Sequence, residues 1–309
     1  MTIPPPAGPP PVTVAAGPVA ARWLVACDLD QTLIFSRRSF RLAEDAAEPP
    51  LVTVEFLDGQ PATYMTETAV ARVAELDRRA VLVPVTTRTL RQYRRVDLGV
   101  RPRFAVAANG AHVLVDGEPD PAWAALVAER SRAGAPLAEL LARAERLATG
   151  GWCRLVRVAD DAFIYLVAHD RYGIPDLTAV TAEVEAAGWT VSVQGRKVYF
   201  VPASLTKQSA LAEVARRAGA ERVAAAGDSL LDAPMLLAAD AAVRPAHGEL
   251  HDRAWTARNL TVTRAVGLLA GEELLGHLTG VIDSSPAMAG GPPPPGVASA
   301  APASDTRRP

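Results

Sequence analysis

The sequence predicts an α/β protein: a Rossmann-like, doubly wound parallel sheet with a second α/β lobe inserted into it. Three observations carry this reading. Short apolar runs at Trp23–Cys27, Ala80–Val85 and Val223–Ala226 are continuous rather than alternating, as expected of strands covered on both faces. Segments with helical spacing lie between them, among them Met65–Arg79, where Val70, Val73, Leu76 and Ala80 share one face, and Gln208–Ala218. Each apolar run also ends in polar residues, and open α/β sheets bind their ligands at the carboxyl ends of the strands.

Taken in order, Trp23–Cys27 runs into Asp28-Leu29-Asp30-Gln31-Thr32. Leu51–Phe56 with the turn pair Asp58-Gly59 predicts a β-hairpin after the first strand. Thr66 or Thr68 is placed to cap the helix that follows. The second buried strand ends in Thr86-Thr87-Arg88, with a helix expected from Leu90. Phe104–Ala108 is a third strand, closed by the turn pair Asn109-Gly110. Residues 111–201 then show a mixed pattern of their own. Helices are expected at Trp123–Arg132, Leu137–Ala148 and Leu177–Ala187, and strands at Leu155–Val158, Phe163–Ala168, Thr190–Val193 and Val198–Val201. That length suffices for a separate lobe. The chain returns through Lys207 and a helix to Val223–Ala226, which ends in Gly227-Asp228-Ser229-Leu230-Leu231-Asp232. A short strand at Asp240–Val243 and a helix at Gly267–Gly280 complete the core.

Composition narrows the function classes. The chain has 309 residues, 49% of them hydrophobic, and a net charge of −2. That is enough apolar material for a sizeable core. No basic stripe suggests nucleic acid and no apolar run is long enough to suggest a membrane span. The two cysteines, Cys27 and Cys153, make no disulfide framework and fit a reducing interior. The Pro-rich stretch at residues 1–20 lacks the charge and apolar run of a secretory signal, so a cytoplasmic protein is expected. That stretch and residues 283–309 read as disordered tails. Among 32 Lys and Arg, only Lys197 and Lys207 are lysines.

Each motif has a bland reading. Asp-x-Asp after a strand is a common turn or helix cap, and Thr86 serves equally well as a cap. Arg196-Lys197 reads first as a solvated pair and second as a substrate-phosphate contact. His247 and His251 have the i, i+4 spacing of a metal pair but no third ligand nearby, which favours structural roles. The ordered set is more specific than its parts. Asp28 and Asp30, Thr86, Lys207, and Asp228 and Asp232 stand in order at or near strand ends, and right-handed crossovers bring such ends to one edge of a sheet. Acids, a lysine and hydroxyls together are what phosphoryl transfer needs.

In these residues the sequence resembles the haloacid dehalogenase (HAD) superfamily of phosphohydrolases. Asp28–Thr32 matches its DxDxT motif, Thr86 its Ser/Thr motif, Lys207 its lysine motif and Gly227–Asp232 its GDxxxD motif. The insert is similar to the C2-type cap of the Cof, sucrose-phosphate phosphatase and mannosyl-3-phosphoglycerate phosphatase groups. Two departures stand out. Leu231 replaces the Asn of a common GDxxND pattern, and Arg244-Pro245-Ala246 stands where many relatives have Gly-Asn-Ala.

The resemblance implies a HAD core at 21–110 and 202–282 with a cap at 111–201. It also implies a Mg²⁺-dependent phosphatase for a small phosphorylated metabolite, a sugar phosphate first among them. Asp28 is then the nucleophile and Asp30 the general acid and base. Thr86, Thr87, Arg88, Asn109 and Lys207 hold the phosphate. Asp28, Asp30 (through its main-chain carbonyl), Asp228 and Asp232 serve the metal. A phosphotransferase or phosphomutase with the same core is the alternative, as is a non-catalytic phosphosugar sensor.

Overall fold

The computed structural model describes residues 22–284; both expected tails, apart from Asp283 and Ser284, lie outside the described residues. The strands and helices in chain order are β1 (Trp23–Cys27), β2 (Leu51–Leu57), β3 (Gln60–Thr66), α1 (Glu67–Arg79), β4 (Val81–Pro84), α2 (Leu90–Tyr93), β5 (Phe104–Ala107), β6 (His112–Val115), β7 (Glu118–Pro119), α3 (Pro121–Arg130), α4 (Leu137–Leu147), β8 (Cys153–Ala159), β9 (Phe163–Ala168), α5 (Thr178–Ala186), β10 (Trp189–Gln194), β11 (Lys197–Pro202), α6 (Lys207–Ala218), β12 (Arg222–Ala226), α7 (Ala233–Ala238), β13 (Ala241–Arg244), α8 (Glu249–Asp252), β14 (Leu260–Val262) and α9 (Leu268–Asp283).

The core is a five-stranded parallel sheet in the order β14-β13-β12-β1-β4. β1 sits inside it and is buried along its whole length. Its side chains alternate between two apolar clusters. Trp23, Val25 and Cys27 pack with Val73 and Leu76 of α1 and Leu274 and Leu278 of α9. Leu24 and Ala26 pack on the other side, with Leu211 and Val214 of α6 and Leu236 of α7. Each such aliphatic side chain contributes roughly 1.5–3 kcal/mol by leaving water. The continuous apolar run is therefore the direct consequence of helices on both faces.

Register decides where the polar strand ends meet. Cys27 lies opposite Ala226 on β12 and opposite Pro84 on β4. The next residues, Asp28, Gly227-Asp228 and Val85-Thr86, therefore emerge side by side. After β1 the chain builds outward through β4 on one side, and after the insert through β12, β13 and β14 on the other. This edge is thus the point where the winding reverses, which is where ligands bind in open α/β sheets.

The helix and hairpin signals are expressed locally. Thr66 caps α1 by accepting a hydrogen bond from the Ala69 amide at 3.0 Å. The predicted hairpin forms as β2 and β3, joined by Asp58 and Gly59 with φ of 51° and 75°, the left-handed pair that a two-residue hairpin favours. After Thr86 the expected helix is only the four-residue α2, closed by a capping box between Thr89 and Gln92. It is too short to build a sizeable dipole. α9 extends to Asp283, so the first residue of the expected tail is helical.

The insert has its own four-stranded antiparallel sheet in the order β10-β11-β9-β8. It packs with α4 and α5 around Leu140, Phe163, Ile164, Val184 and Phe200. Its edge differs from the sequence expectation at residue 111. β6 pairs antiparallel with β5, and β7 with β6, while a Val85–Val106 bridge ties β5 to the core strands. Trp123 of α3 is buried with the core and donates to the Gly110 carbonyl at 2.8 Å. The mixed pattern from 111 onward thus contains a core hairpin and helix before the insert's own sheet begins at Cys153. Local pattern cannot report which strand a hairpin will pair with.

Candidate active site

At the shared strand edge, Lys207 is 1% exposed and lies between two acids. Its Nζ donates to Asp28 Oδ1 at 2.5 Å and to Asp232 Oδ1 at 2.6 Å. Thr206 caps α6 by accepting from the Ser209 amide, which sets Lys207 as the first residue of that helix. Asp232 is itself fixed. Its other oxygen accepts from the Asp228 and Ser229 amides at 3.1 and 3.0 Å and from the Ser229 hydroxyl at 2.7 Å. The loop after β12 therefore folds around one carboxylate, whose remaining oxygen aims Lys207 at Asp28.

Two glycines make this approach possible. A Cβ on Gly227 would stand 2.5 Å from Asp232 Cβ. Gly248, at φ 88°, passes so close to Asp228 that a Cβ would overlap its carboxylate. The sequence motif includes Gly227. Gly248 carries no local signal because its neighbour comes from twenty residues earlier in the chain.

Asp28, Asp228 and Asp232 bring carboxylate oxygens within 4.8 Å of one another, all buried. Three carboxylates face one ammonium. Burial pushes the Asp28 carboxyl up to about 7 against the opposing pull of Lys207, with Asp232 adding to the rise. Burial and the neighbouring Asp28 and Asp232 likewise push Asp228 well above the carboxylate range. Burial works against the Lys207 ammonium, but Asp232 and Asp28 outweigh it and hold the ammonium charged. An all-oxygen donor set with excess negative charge suits a hard divalent cation.

Asp30 stands apart from this cluster. Its carboxylate is held by Arg88, whose Nε and Nη2 approach the two oxygens at 2.7 and 2.9 Å. Burial raises its pKa, but the guanidinium more than offsets this and keeps it below the usual range. Arg88 is in turn bound through Nη1 to buried Glu55 of β2 at 2.9 Å, and Glu55 also takes Arg95 and the Thr63 hydroxyl. Arg88, read from the sequence as a phosphate contact, is here the partner of Asp30. Glu55 was not singled out from the sequence, because its role depends on a hairpin folding back over the strand end.

Thr86 is buried, and its hydroxyl accepts from the Arg88 amide at 3.1 Å. Thr87 lines the adjoining cleft. Asn109 is buried in the left-handed conformation, and its Nδ2 donates to the Leu205 carbonyl at 2.9 Å. It joins the third strand end to the segment before Lys207, so the structure gives it a bracing contact. His247 and His251 do not form a metal pair. His247 bridges the Gln31 carbonyl and the Gly267 amide at 2.9 and 3.0 Å, and His251 Nδ1 accepts from Arg244 at 3.1 Å. Cys27 is buried, and burial pushes its thiol up to about 12, so it behaves as an apolar side chain.

The insert closes on this edge through specific contacts. Glu249 of α8 accepts from the Leu230 amide of the core loop and from the Ser192 hydroxyl and Val193 amide of β10, at 2.9–3.2 Å. Asp160, in the β8–β9 turn, accepts from the Leu90 amide at 2.7 Å. Leu231 packs against the insert's apolar cluster, which is a physical reason for an apolar residue there in place of Asn.

No protein-family profile matches the sequence, and no curated protein sequence matches it. Solved structures do. The sucrose-phosphatase of Synechocystis sp. PCC6803, solved with sucrose and phosphate, superposes with a TM-score of 0.59 at 15% identity, covering 85% of this chain and 98% of its own. A Thermoplasma acidophilum protein gives 0.54 at 14% identity, covering 84% and 99%. A Bacteroides thetaiotaomicron phosphatase of the HAD enzyme superfamily gives 0.52 at 15% identity, covering 87% and 99%.

The fold is that of the HAD superfamily.

At these identities the likeness concerns the fold, and the chemistry has to be argued from the site. The residues matching the HAD motifs, Asp28, Asp30, Thr86, Lys207, Asp228 and Asp232, all lie at or beside the carboxyl edge of the HAD-like core sheet.

Proposed function

We propose that the protein is a Mg²⁺-dependent phosphatase that hydrolyses a small phosphomonoester through an aspartyl-phosphate on Asp28. The observation that carries this reading is the buried Asp28–Lys207–Asp232 bridge beside Asp228. It offers a fixed carboxylate nucleophile with positive charge placed to meet a phosphoryl group. The sugar-phosphate assignment is supported by the fold likeness to an enzyme solved with sucrose and phosphate.

Asp28, Asp228 and the Asp30 carbonyl would hold the metal, with Asp232 behind them orienting Lys207. When bound, Mg²⁺ neutralises charge on the phosphoryl oxygens and keeps Asp28 ionised. Asp28 attacks phosphorus and the leaving oxygen departs toward Asp30. Asp30 supplies a proton to that oxygen and takes one from water in the second step. Its clasp by Arg88 favours the ionised form, which suits the second step; proton delivery in the first requires that clasp to loosen as substrate enters. Thr86 and Lys207 stabilise the transferred group, and the insert excludes water.

Phosphate release from a panel of phosphomonoesters tests the reading, run with Mg²⁺, with EDTA and with Asp28→Asn. Metal-dependent turnover abolished by the substitution supports it. A folded, Mg²⁺-binding protein with no turnover on any ester overturns it in favour of a phosphotransferase or a sensor.

A further inference from the structure

A cleft of about 400 Å³ opens from Asp30 between the core segment 31–41 and the insert's β9 and β10–β11 turn. Because Asp30 faces the leaving oxygen in the proposed reaction, this cleft is where the leaving group lies. The cleft is lined by Arg38, Arg41, Arg171, Arg196 and Lys197, and its only acidic lining residue is Asp30.

Asp30 is already bound on both oxygens by Arg88, and Arg171 is paired with Asp252 at 2.7 Å. The other four cations have no carboxylate within ion-pair distance among the described residues. Arg41 reaches only the Gln31 side-chain oxygen at 3.4 Å, Arg196 only the His169 carbonyl at 3.4 Å, and Lys197 stands 5.7 Å from the Tyr165 ring centre. Gln194 lines the same cleft with a buried Nε2 that donates to nothing. This is a donor-rich wall in a chain whose net charge is −2. A neutral polyol presents hydroxyls that need acceptors as much as donors. Guanidinium forks match carboxylate and phosphate oxygens.

We propose that the substrate's leaving group carries a second anionic group, a carboxylate or another phosphate, bound by Arg41, Arg196 and Lys197. This rests on the phosphatase reading for the placement of the leaving group, and it narrows the substrate to doubly anionic phosphomonoesters. The core and the insert each supply part of the anion site, so binding draws the insert toward Asp30.

The test compares matched pairs. 3-Phosphoglycerate against glycerol 3-phosphate isolates a carboxylate. Fructose 1,6-bisphosphate against fructose 6-phosphate isolates a second phosphate. p-Nitrophenyl phosphate, with its activated leaving group, reports whether the chemistry occurs at all. The expected result is a preference in kcat/KM of about tenfold or more for the anionic member of at least one pair. It should be expressed mainly in KM and reduced toward one in Arg196→Gln and Arg41→Gln variants whose thermal unfolding matches the parent. Equal kcat/KM within both pairs, or a preference untouched by both substitutions, overturns the proposal. If neither p-nitrophenyl phosphate nor any member of the two pairs is hydrolysed, the phosphatase reading fails on its own. Calorimetric titration of the same pairs then decides: tighter binding of the anionic member that the variants lose sustains the anion site, and equal affinity removes it.

Discussion

Arg88 grips Asp30 through both carboxylate oxygens while its third nitrogen binds Glu55 on a hairpin more than thirty residues earlier in the chain. The acid two residues after the proposed nucleophile is thus set by the second strand end and the hairpin together. The two Asp residues of the first motif, only two positions apart, occupy opposite electrostatic surroundings. Asp28 is pushed up by burial, and Asp30 is held down by Arg88 against burial. The proposed roles require both settings to reverse when metal and substrate bind: a dication would hold Asp28 ionised, and a loosened Arg88 clasp would let Asp30 carry a proton.

Replacing Arg88 tests that separation. In Arg88→Gln the factor holding Asp30 ionised is lost while its partly buried surroundings remain, so the basic limb of the kcat/KM profile moves to higher pH. A profile unchanged from the parent would show that Asp30 does not set that limb.

Lys207 is the shared counter-charge of two buried acids. Lys207→Ala leaves Asp28 and Asp232 facing each other without a counter-charge, at an expected cost of about 3–5 kcal/mol. Urea unfolding in the presence of EDTA measures it. Activity falls in parallel, by at least about 10³-fold, since the same group stabilises the transferred phosphoryl oxygens.

Gly227→Ala places a methyl group 2.5 Å from Asp232 Cβ. The loop has to shift, at a cost of about 1–3 kcal/mol, and Asp232 no longer aims Lys207. Reduced kcat together with a weakened Mg²⁺ affinity is the expected kinetic result, because the shifting loop carries Asp228, whose amide is bonded to Asp232.

His247 gives stability a dependence on pH. Burial, the largest influence, depresses its pKa from 6.5 to about 4, against the Gln31 carbonyl that would favour the charged ring. The unfolded chain takes up a proton near 6.5 and the folded chain only near 4. The stabilisation is therefore complete above pH 6.5 and is lost as pH falls toward 4, by up to about 3 kcal/mol. Urea midpoints measured across that window should fall with pH, and His247→Gln should flatten this part of the slope.

Glu249 holds the core loop and β10 together. Glu249→Ala leaves the Leu230 and Val193 amides and the Ser192 hydroxyl without their acceptor, at about 1–3 kcal/mol. Hydrogen exchange should rise first at β10 and the loop after β12. Uniformly raised exchange across β1 would contradict a role confined to that junction.

The sequence by itself determined four of the five core strands, most helices and the order of the polar strand ends, because these follow from local periodicity and from residues adjacent in the chain; β14, three residues long and mostly exposed, left no such signal. Trp23–Cys27 is apolar throughout because helices cover both of its faces. Asp28, Asp228 and Asp232 were legible as a set because their strands are parallel and their register is fixed by that burial. Only the tertiary structure decided the partners. Arg88 serves Asp30, Asn109 braces the Leu205 segment, residues 112–119 pair with β5 in a small sheet beside the core, and Glu55, Gly248 and Glu249 act through neighbours distant in sequence. Such assignments depend on which surfaces meet after the hairpin and insert fold back. Contact between residues far apart in the chain leaves no periodic trace in the sequence around either one.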